Sequence, residues 1–336
     1  MKRINIAVIG TGRMGAVHVR NLARLIPEAN LVAVCDLRLE VAQAVADECG
    51  VTRVVRDYHE LLADPSIEAI LIATTTSTHA FILKDVAAAG KHIFCEKPLA
   101  LDLLSIDEAL QAVQKAGVKL QVGFNRRFDK SFQHVREVVA SGEIGRPCIL
   151  RITNRDPELP AMEFMRESGG MFLDMTIHDF DMARFQIGDV EEVYAFGDVL
   201  VAPELKEIHD IDTNIVTLRF ANGTLGAIDN SRQAVYGYDQ RLEVFCAHGV
   251  AMAGNEAENT VIRGDTRGMH AARPPYFFMQ RYAPCYVEEV RRFIECVRDD
   301  LPTPTTGADG RAAVVLGHAA WKSFTEKRPV KVCDIG

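Results

Sequence analysis

The feature that most constrains this chain is a glycine-rich turn between a strand pattern and a helical pattern near its start. Gly10, Gly12 and Gly15 fit the pattern G-x-G-x-x-G directly after the apolar run at residues 4–9. In such a turn the first glycine allows a tight bend, the second lets the backbone approach a pyrophosphate, and the third lets helix and strand pack closely. The helix N-terminus offers N–H groups and a positive dipole end to phosphates. We therefore predict a dinucleotide site that also includes the turn residues Arg13 and Met14.

An acidic residue at the end of the next strand pattern supports this prediction. Asp36 follows the apolar run at residues 31–35, at the place where an acid binds the hydroxyls of the nucleotide ribose. A carboxylate there repels the 2′-phosphate of NADP, so NAD is the expected cofactor, although Arg38 would offset part of the repulsion. The alternative is a structural glycine turn followed by a surface aspartate. Strand, glycines, helix and acid together favour cofactor binding.

The pattern of strands and helices predicts two domains of different class. Alternating strand and helix patterns over roughly the first 120 residues are typical of a Rossmann fold, a doubly wound parallel sheet with helices on both faces. Further along, longer strand patterns and an Asn-Gly hairpin signal at 222–223 predict an α+β domain with an open, mostly antiparallel sheet. We assign residues 1–123 to the first domain and 124–336 to the second, whose C-terminal helices could pack back on the first. Residues 171–185 are predicted as one helix and 254–282 as loop.

Charge and cysteine content exclude several classes of partner. The 38 basic and 46 acidic residues give a formal charge of −8, which disfavours binding to nucleic acid or to an anionic membrane surface. No apolar run reaches the ~18 residues of a membrane-spanning helix. None of the eight cysteines forms a Cys-x-x-Cys pair. We therefore expect reduced thiols in a cytoplasmic protein.

A lysine follows the fifth predicted strand. Glu96, Lys97 and Pro98 stand at the carboxyl end of that strand, which is where ligands bind in sheets of this kind. Lys97 could reach a substrate oxygen from there. The alternative is a solvated lysine beside a turn proline, and on this motif alone it is favoured, since lysines are mostly exposed.

The predicted helix at residues 171–185 carries a candidate base. Asp174, His178 and Asp181 have the spacing i, i+4 and i+7, which puts them on one helical face. The other side is apolar, with Phe172, Met175 and Phe180. An aspartate one turn from a histidine can orient the ring and stabilise the imidazolium, which suits a general base near neutral pH. A purely structural histidine is one alternative. A metal site is the other, but no His-x-x-x-His or cysteine cluster accompanies the pair, so no metal is expected.

Scattered polar residues could recognise a neutral ligand rich in hydroxyl groups. The candidates lie in three short runs near residues 125–129, 154–157 and 236–239, and they are Arg127, Asp156, Tyr236 and Tyr238. The alternatives are ordinary ion pairs for Arg126 and Asp129, which flank Arg127, and a place in the core for one of the tyrosines.

These motifs together resemble the glucose-fructose oxidoreductase / inositol dehydrogenase / rhizopine-catabolism family over essentially the whole chain. The loop at residues 74–79 resembles that family's loop, and we include Thr74, Thr75, His79 and Glu96 among the cofactor-binding residues. The runs at 125–129, 168–170, 174–184 and 230–232 look like the myo-inositol 2-dehydrogenase branch.

The resemblance implies that NAD takes a hydride from a ring carbon of a cyclitol, giving 2-keto-myo-inositol from the commonest substrate. Lys97, Asp174 and His178 match the family's catalytic positions. We assign His178 as the base, Lys97 as the cationic donor and Asp174 as the residue that orients them. The family commonly forms tetramers through the open sheet of the second domain, so a homotetramer is expected.

Other activities remain open at this level. One is a scyllo-inositol or aldose 1-dehydrogenase of the same family. Another is a regulator that senses NAD and sugar without catalysis, but such members tend to lack the catalytic lysine or histidine, and both Lys97 and His178 are present. A zinc alcohol dehydrogenase is the third.

Overall fold

The computed structural model describes residues 2–336, which form two compact units. The first comprises residues 2–128 and Pro284–Val314, and the second comprises Asp129–Ala283 and Val315–Gly336. The domain boundaries 1–123 and 124–336 stay a prediction. The compact units differ from them chiefly because residues 284–314 belong to the first unit.

The elements are numbered along the chain. The strands are β1 (Ile4–Ile9), β2 (Ala29–Cys35), β3 (Val54–Val55), β4 (Ala69–Ile72), β5 (His92–Glu96), β6 (Leu120–Gly123), β7 (Pro147–Arg155), β8 (Val190–Asp198), β9 (Thr213–Phe220), β10 (Leu225–Ser231), β11 (Asp239–Cys246), β12 (Gly249–Ala253), β13 (Ile262–Asp265), β14 (Gly268–Ala271) and β15 (Val330–Lys331). The helices are α1 (Arg13–Arg24), α2 (Leu39–Cys49), α3 (His59–Leu62), α4 (Thr76–Ala88), α5 (Leu103–Ala116), α6 (Lys130–Ser141), α7 (Met162–Glu167), α8 (Met171–Asp174), α9 (Ile177–Ile187), α10 (Phe278–Arg281), α11 (Ala283–Arg298) and α12 (Gly307–Glu326).

The first unit is built on a six-stranded sheet in the order β3-β2-β1-β4-β5-β6, with all neighbours parallel. Its strands read as continuous apolar runs because both faces are covered. Val8, Leu71 and Phe94 are completely buried, and Val290 and Phe293 of α11 pack into the same core. The strand order reverses between β1 and β4, and this is the place where such sheets bind ligands at their carboxyl ends. The predicted Rossmann fold is confirmed.

The second unit is built on a seven-stranded sheet in the order β12-β11-β7-β10-β9-β8-β15. Only β7 and β10 pair in parallel, so the predicted open, mostly antiparallel sheet is confirmed. Along β9 every second residue is buried, which leaves one sheet face inside and the other outside. Helices α6 and α9 contact the sheet. The Asn-Gly signal lies in the turn between β9 and β10, where Gly223 has a φ of +84°.

Two local predictions are wrong. The segment at 171–185 is not one helix but the two helices α8 and α9, because the amide of Thr176 bonds the carbonyl of Met171 at 3.0 Å, one residue further back than in an α-helix. The segment at 254–282 is not all loop. It holds the hairpin β13–β14 and the short helix α10. Both hairpin strands are exposed throughout, so they carry no buried apolar alternation that could have predicted them.

Among residues 2–336, no helix is both long enough and apolar enough to span a membrane. All eight cysteines are free thiols, and five of them are buried.

Candidate active site

The three glycines of the turn have separate structural roles. Gly10 has a φ of +90°, and a Cβ atom on it would lie 2.6 Å from the carbonyl oxygen of Ala73. A Cβ on Gly15 would lie 1.9 Å from the carbonyl oxygen of Gly10, so the chain itself requires glycine at both positions. Gly12 is different: it is the N-cap of α1, and a Cβ there would meet nothing within 4 Å among the described residues. The space in front of Gly12 and the amides of α1 therefore fit a pyrophosphate.

Asp36 is held rigidly beside this turn. Its Oδ2 accepts hydrogen bonds from the amide of Thr11 at 2.8 Å and from the Thr11 hydroxyl at 3.0 Å. Its Oδ1 accepts from the amide of Arg38 at 2.9 Å, and the Arg38 Nε lies 4.0 Å away. The carboxylate thus stands at the carboxyl end of β2, next to the glycine turn, which is the placement needed for a ribose.

The loops after β4 and β5 are tied together by a buried histidine. His79 is 1% exposed, with Nδ1 2.8 Å from the carbonyl oxygen of Pro98 and Nε2 3.1 Å from that of Thr74. Burial lowers the pKa of His79. Both ring nitrogens face backbone carbonyls, which favours a structural role for His79. Thr75 is exposed at the N-terminus of α4, and a direct cofactor contact by these residues stays a prediction.

Lys97 follows directly on β5 and is half-buried, so it is not the solvated lysine of the alternative interpretation. The peptide bond between Lys97 and Pro98 is cis. Glu96 is the last residue of the strand and is buried, with Oε1 2.6 Å from Nε2 of His18. Lys97 therefore extends from a rigid strand end.

Asp174 and His178 stand out from buried surroundings. Within the fully described segment 171–183 they are the two residues that are not buried. The predicted apolar side is confirmed, because Phe172, Met175 and Phe180 are each at most 4% exposed. Asp181 does not share the accessible surface of the pair: it is 1% exposed. One carboxylate and one imidazole are thus accessible within a segment that is otherwise buried and largely apolar.

Arg232 lies behind the carboxylate and was not predicted as a site residue. It is 1% exposed, and its Nη2 donates to Oδ2 of Asp174 at 3.1 Å. The nearby Asp210 accepts from the amide of Met171, the first residue of α8, at 2.9 Å. Burial raises the pKa of Asp210. A buried guanidinium therefore fixes and neutralises Asp174 from the inner side.

A polar network under the break between α8 and α9 was also missed. The Thr176 hydroxyl donates to Oδ1 of Asn230 at 2.6 Å, and the amides of Asn154 and Asn230 donate to Oδ2 of Asp179 at 2.8 and 2.9 Å. All four residues are at most 1% exposed. The sequence carried a signal for this network, since each asparagine occupies an inward position of a strand whose other inward residues are apolar. The network fixes the backbone between Asp174 and His178.

The predicted hydroxyl-binding residues have different environments. Arg127 is buried and forms an ion pair with Asp309 at 3.0 Å, an environment that fits a structural role. Tyr238 is 3% exposed and packs edge-on against Tyr282, as the core alternative stated.

The other two predicted residues are more accessible. Asp156 is half-buried just after β7. Tyr236 is 44% exposed and donates from its hydroxyl to Asp239 at 2.7 Å. Both side chains are open enough to reach a ligand.

The chain matches known proteins along its whole length. Residues 4–124 match a model described as "Oxidoreductase family, NAD-binding Rossmann fold", and residues 132–252 match the GFO/IDH/MocA C-terminal domain. Myo-inositol 2-dehydrogenase of Thermotoga maritima is 47% identical over 333 residues, 99% of each chain. The scyllo-inositol 2-dehydrogenase (NAD(+)) of Bacillus subtilis is 36% identical over 98% of this chain and 96% of its own length.

The same agreement holds for the fold. The crystal structure of a probable dehydrogenase from Thermotoga maritima superposes with a TM-score of 0.97 at 47% identity, covering 99% of this chain and 100% of the other. With its NAD-binding first domain and its matching C-terminal domain, the chain belongs to the GFO/IDH/MocA family of oxidoreductases.

Proposed function

We propose that this chain oxidises a secondary ring hydroxyl of a cyclitol with NAD, converting myo-inositol to 2-keto-myo-inositol. The observation that carries the proposal is the accessible pair Asp174 and His178, set in buried surroundings and backed by Arg232. Relatives whose names state inositol oxidation match the chain end to end, which supports the substrate class.

Two features fit NAD as the cofactor. The open space at Gly12 and the N-terminus of α1 suit a pyrophosphate, and the fixed carboxylate of Asp36 suits a ribose that carries both hydroxyls. When bound, the nicotinamide of NAD accepts a hydride. A negative charge on Asp36 disfavours a 2′-phosphate, so the proposal includes a preference for NAD over NADP.

Oxidation of an alcohol also needs a base for the hydroxyl proton and a cation for the developing alkoxide. In the proposed mechanism His178 takes the proton and Lys97 donates a hydrogen bond to the substrate oxygen. Asp174 orients the imidazole and stabilises it when protonated, while Arg232 keeps the Asp174 carboxylate in place. Asp156 and Tyr236 recognise further hydroxyls, and their exposure supports this role better than the surroundings of Arg127 and Tyr238 do.

We further propose a homotetramer assembled through the outer face of the second unit's sheet. Ile149, Leu225, Phe245 and Val250 are between 36% and 49% exposed, and strand register places them side by side across β10, β7, β11 and β12. An apolar surface continuous over four strands is typical of a subunit interface. Phe245→Asp should lower the molar mass measured by light scattering.

The free state of all eight cysteines supports a cytoplasmic location.

The activity is tested with a panel of myo-inositol, scyllo-inositol, D-glucose and L-glucose, each with NAD and NADP, following NADH or NADPH formation. We expect the highest kcat/KM for myo-inositol with NAD. A higher kcat/KM for scyllo-inositol or for an aldose would make that compound, and not myo-inositol, the preferred substrate. No turnover of any of them, with NAD binding retained, would favour a sensing role.

The residue assignments are tested by His178→Ala and Lys97→Ala. Each should lower kcat by ~10²-fold or more, the usual contribution of acid–base catalysis. His134→Ala is the matched control, because the His134 side chain is 76% exposed on α6. Near-normal turnover of His178→Ala at all pH values would contradict its role as the base.

A further inference from the structure

A second group of ionisable side chains lies entirely within the first unit. His18 is on α1, Glu96 ends β5 and Glu289 is on α11, and they are 0%, 8% and 0% exposed. One nitrogen or oxygen atom from each lies within 4.8 Å of the others. We refer to these three residues as the buried triad. The roles assigned above to the active-site residues do not use Glu289 or His18.

The oxygen atoms of Glu289 have an unusual environment. Neither oxygen has a hydrogen-bond partner among the described residues. An ionised carboxylate in that position would cost far more free energy than the protonated acid, because burying an unpaired charge is costlier than burying a neutral polar group. Burial and the nearby Glu96 carboxylate raise the pKa of Glu289 well above its usual value. Both arguments make Glu289 a neutral acid at pH 7.

The other two members form a direct hydrogen bond. Nε2 of His18 lies 2.6 Å from Oε1 of Glu96, and His18 Nδ1 has no partner among the described residues. This arrangement fits the tautomer with its proton on Nε2, donating to Oε1 of Glu96. Phe94 and Tyr286 pack edge-on against the ring at 5.5 and 6.1 Å between centroids. The imidazole is therefore held by one hydrogen bond and two aromatic contacts.

The same three residue types could ligate a metal ion, but the distance favours a proton. Two ligands of one ion at metal–ligand distances of about 2.0–2.2 Å are separated by roughly 3 Å or more. The 2.6 Å contact between His18 and Glu96 is shorter and is a normal length for a strong hydrogen bond.

The position of Glu96 connects the triad to the site. Its Oε2 lies against β6 so closely that a Cβ on Gly123 would be 2.9 Å away. Glu96 is thus hydrogen-bonded to His18 at one oxygen and packed closely against Gly123 of β6 at the other. His18 belongs to the helix that starts at Gly12, and Glu96 immediately precedes Lys97. The triad therefore joins the helix at the dinucleotide turn to the segment that carries the lysine.

We propose that His18, Glu96 and a protonated Glu289 form a buried proton-holding triad that positions Lys97 relative to the dinucleotide-binding helix. The triad residues are positioning residues and do not touch the substrate. The functional half of this inference rests on the proposed role of Lys97, but the protonation of Glu289 does not.

Infrared difference spectroscopy of the purified wild-type protein and its Glu289→Gln variant tests the protonation without any substrate. At pH 7 the wild type should show the carbonyl stretch of a protonated carboxylic acid, and the variant should lack it. Glu288→Gln is the matched control. The Glu288 side chain is 39% exposed and adjoins Glu289 in sequence, so this substitution should leave the band in place. A wild-type spectrum without the band overturns the proposal.

Steady-state kinetics with the accepted substrate tests the positioning. Glu289→Gln, a neutral isostere, should keep kcat within about threefold, whereas Glu289→Asp should lower it more, because the shorter side chain leaves a gap beside Glu96. His18→Ala and Glu96→Gln should lower kcat about tenfold while KM for NAD changes little. Unchanged kcat in both of these variants overturns the positioning role.

Retention of Zn²⁺ or Mn²⁺ by wild type but not by Glu289→Gln overturns the proton interpretation in favour of a metal site. Absence of turnover in wild type contradicts the proposed function alone and leaves the infrared result decisive for the triad.

Discussion

Alanine substitutions at Gly15 and Gly12 should separate folding from cofactor binding within one six-residue turn. The two glycines are three residues apart, and the same methyl group is added in both variants. At Gly15 the new Cβ would lie 1.9 Å from the Gly10 carbonyl oxygen and 2.7 Å from its carbon, whereas at Gly12 it would meet nothing within 4 Å among the described residues. Gly15→Ala should therefore damage the protein itself, and Gly12→Ala should damage only its complex with NAD.

The magnitudes follow from these distances. Overpacking usually costs about 1–3 kcal/mol, and the value for Gly15→Ala should reach about 3 kcal/mol or more, because backbone rather than a flexible side chain must move. For a unit of about 150–250 residues this corresponds to a fall in Tm of roughly 6–12 °C. Gly12→Ala exchanges a good N-cap for a poor one, at a cost below about 1 kcal/mol. Its methyl group would occupy the approach of a phosphate, and loss of one charge-assisted hydrogen bond, about 1.5–3 kcal/mol, weakens binding roughly 10- to 100-fold.

The assay pairs thermal unfolding without cofactor with isothermal titration by NAD. Gly15→Ala should unfold at a lower temperature than wild type, and Gly12→Ala should unfold close to wild type but bind NAD more weakly. An unchanged Tm in Gly15→Ala would refute the packing argument. An unchanged Kd for NAD in Gly12→Ala would refute the assignment of the open space to a pyrophosphate.

Three further predictions concern charged groups. Arg232→Met removes the buried partner of Asp174 and should destabilise the protein by about 3 kcal/mol in urea unfolding, since breaking a buried ion pair strands one charge; adding Asp174→Asn should restore part of the loss, and strictly additive effects would count against the pairing. Asp36→Ala should lower the ratio of kcat/KM for NAD to that for NADP about tenfold, and an unchanged ratio would remove this carboxylate from cofactor selection. Hydrogen bonds from Ser66 lower the pKa of Asp64 to about 2, so its stabilisation is complete above the unfolded value near 4 and is lost as pH falls toward 2; Asp64→Asn should flatten the acid limb of stability against pH, and an unaltered limb would contradict this linkage.

The local signals were strongest in the first unit. A buried parallel strand needs an unbroken apolar run, and a dinucleotide turn needs glycines at set spacings, so both are visible in a few consecutive residues. The predicted strands of the sheet, the turn at Gly10–Gly15 and the acid at Asp36 are all present where the patterns indicated. The alternation in the second unit likewise predicted an open sheet, because a strand with one buried face shows every second residue apolar.

Contacts between residues far apart in the sequence could not be predicted from such local patterns. Arg232 lies 58 residues from Asp174, and nothing near either residue indicates that they form a pair. At the break between α8 and α9, the hydroxyl of Thr176 donates to Asn230, 54 residues away, and the helical pattern of the segment did not indicate this contact. Glu289 looks like any surface glutamate of an amphipathic helix. Only packing decides whether a polar side chain meets water, a partner or neither, because its free energy depends on neighbours that the chain brings together from far apart.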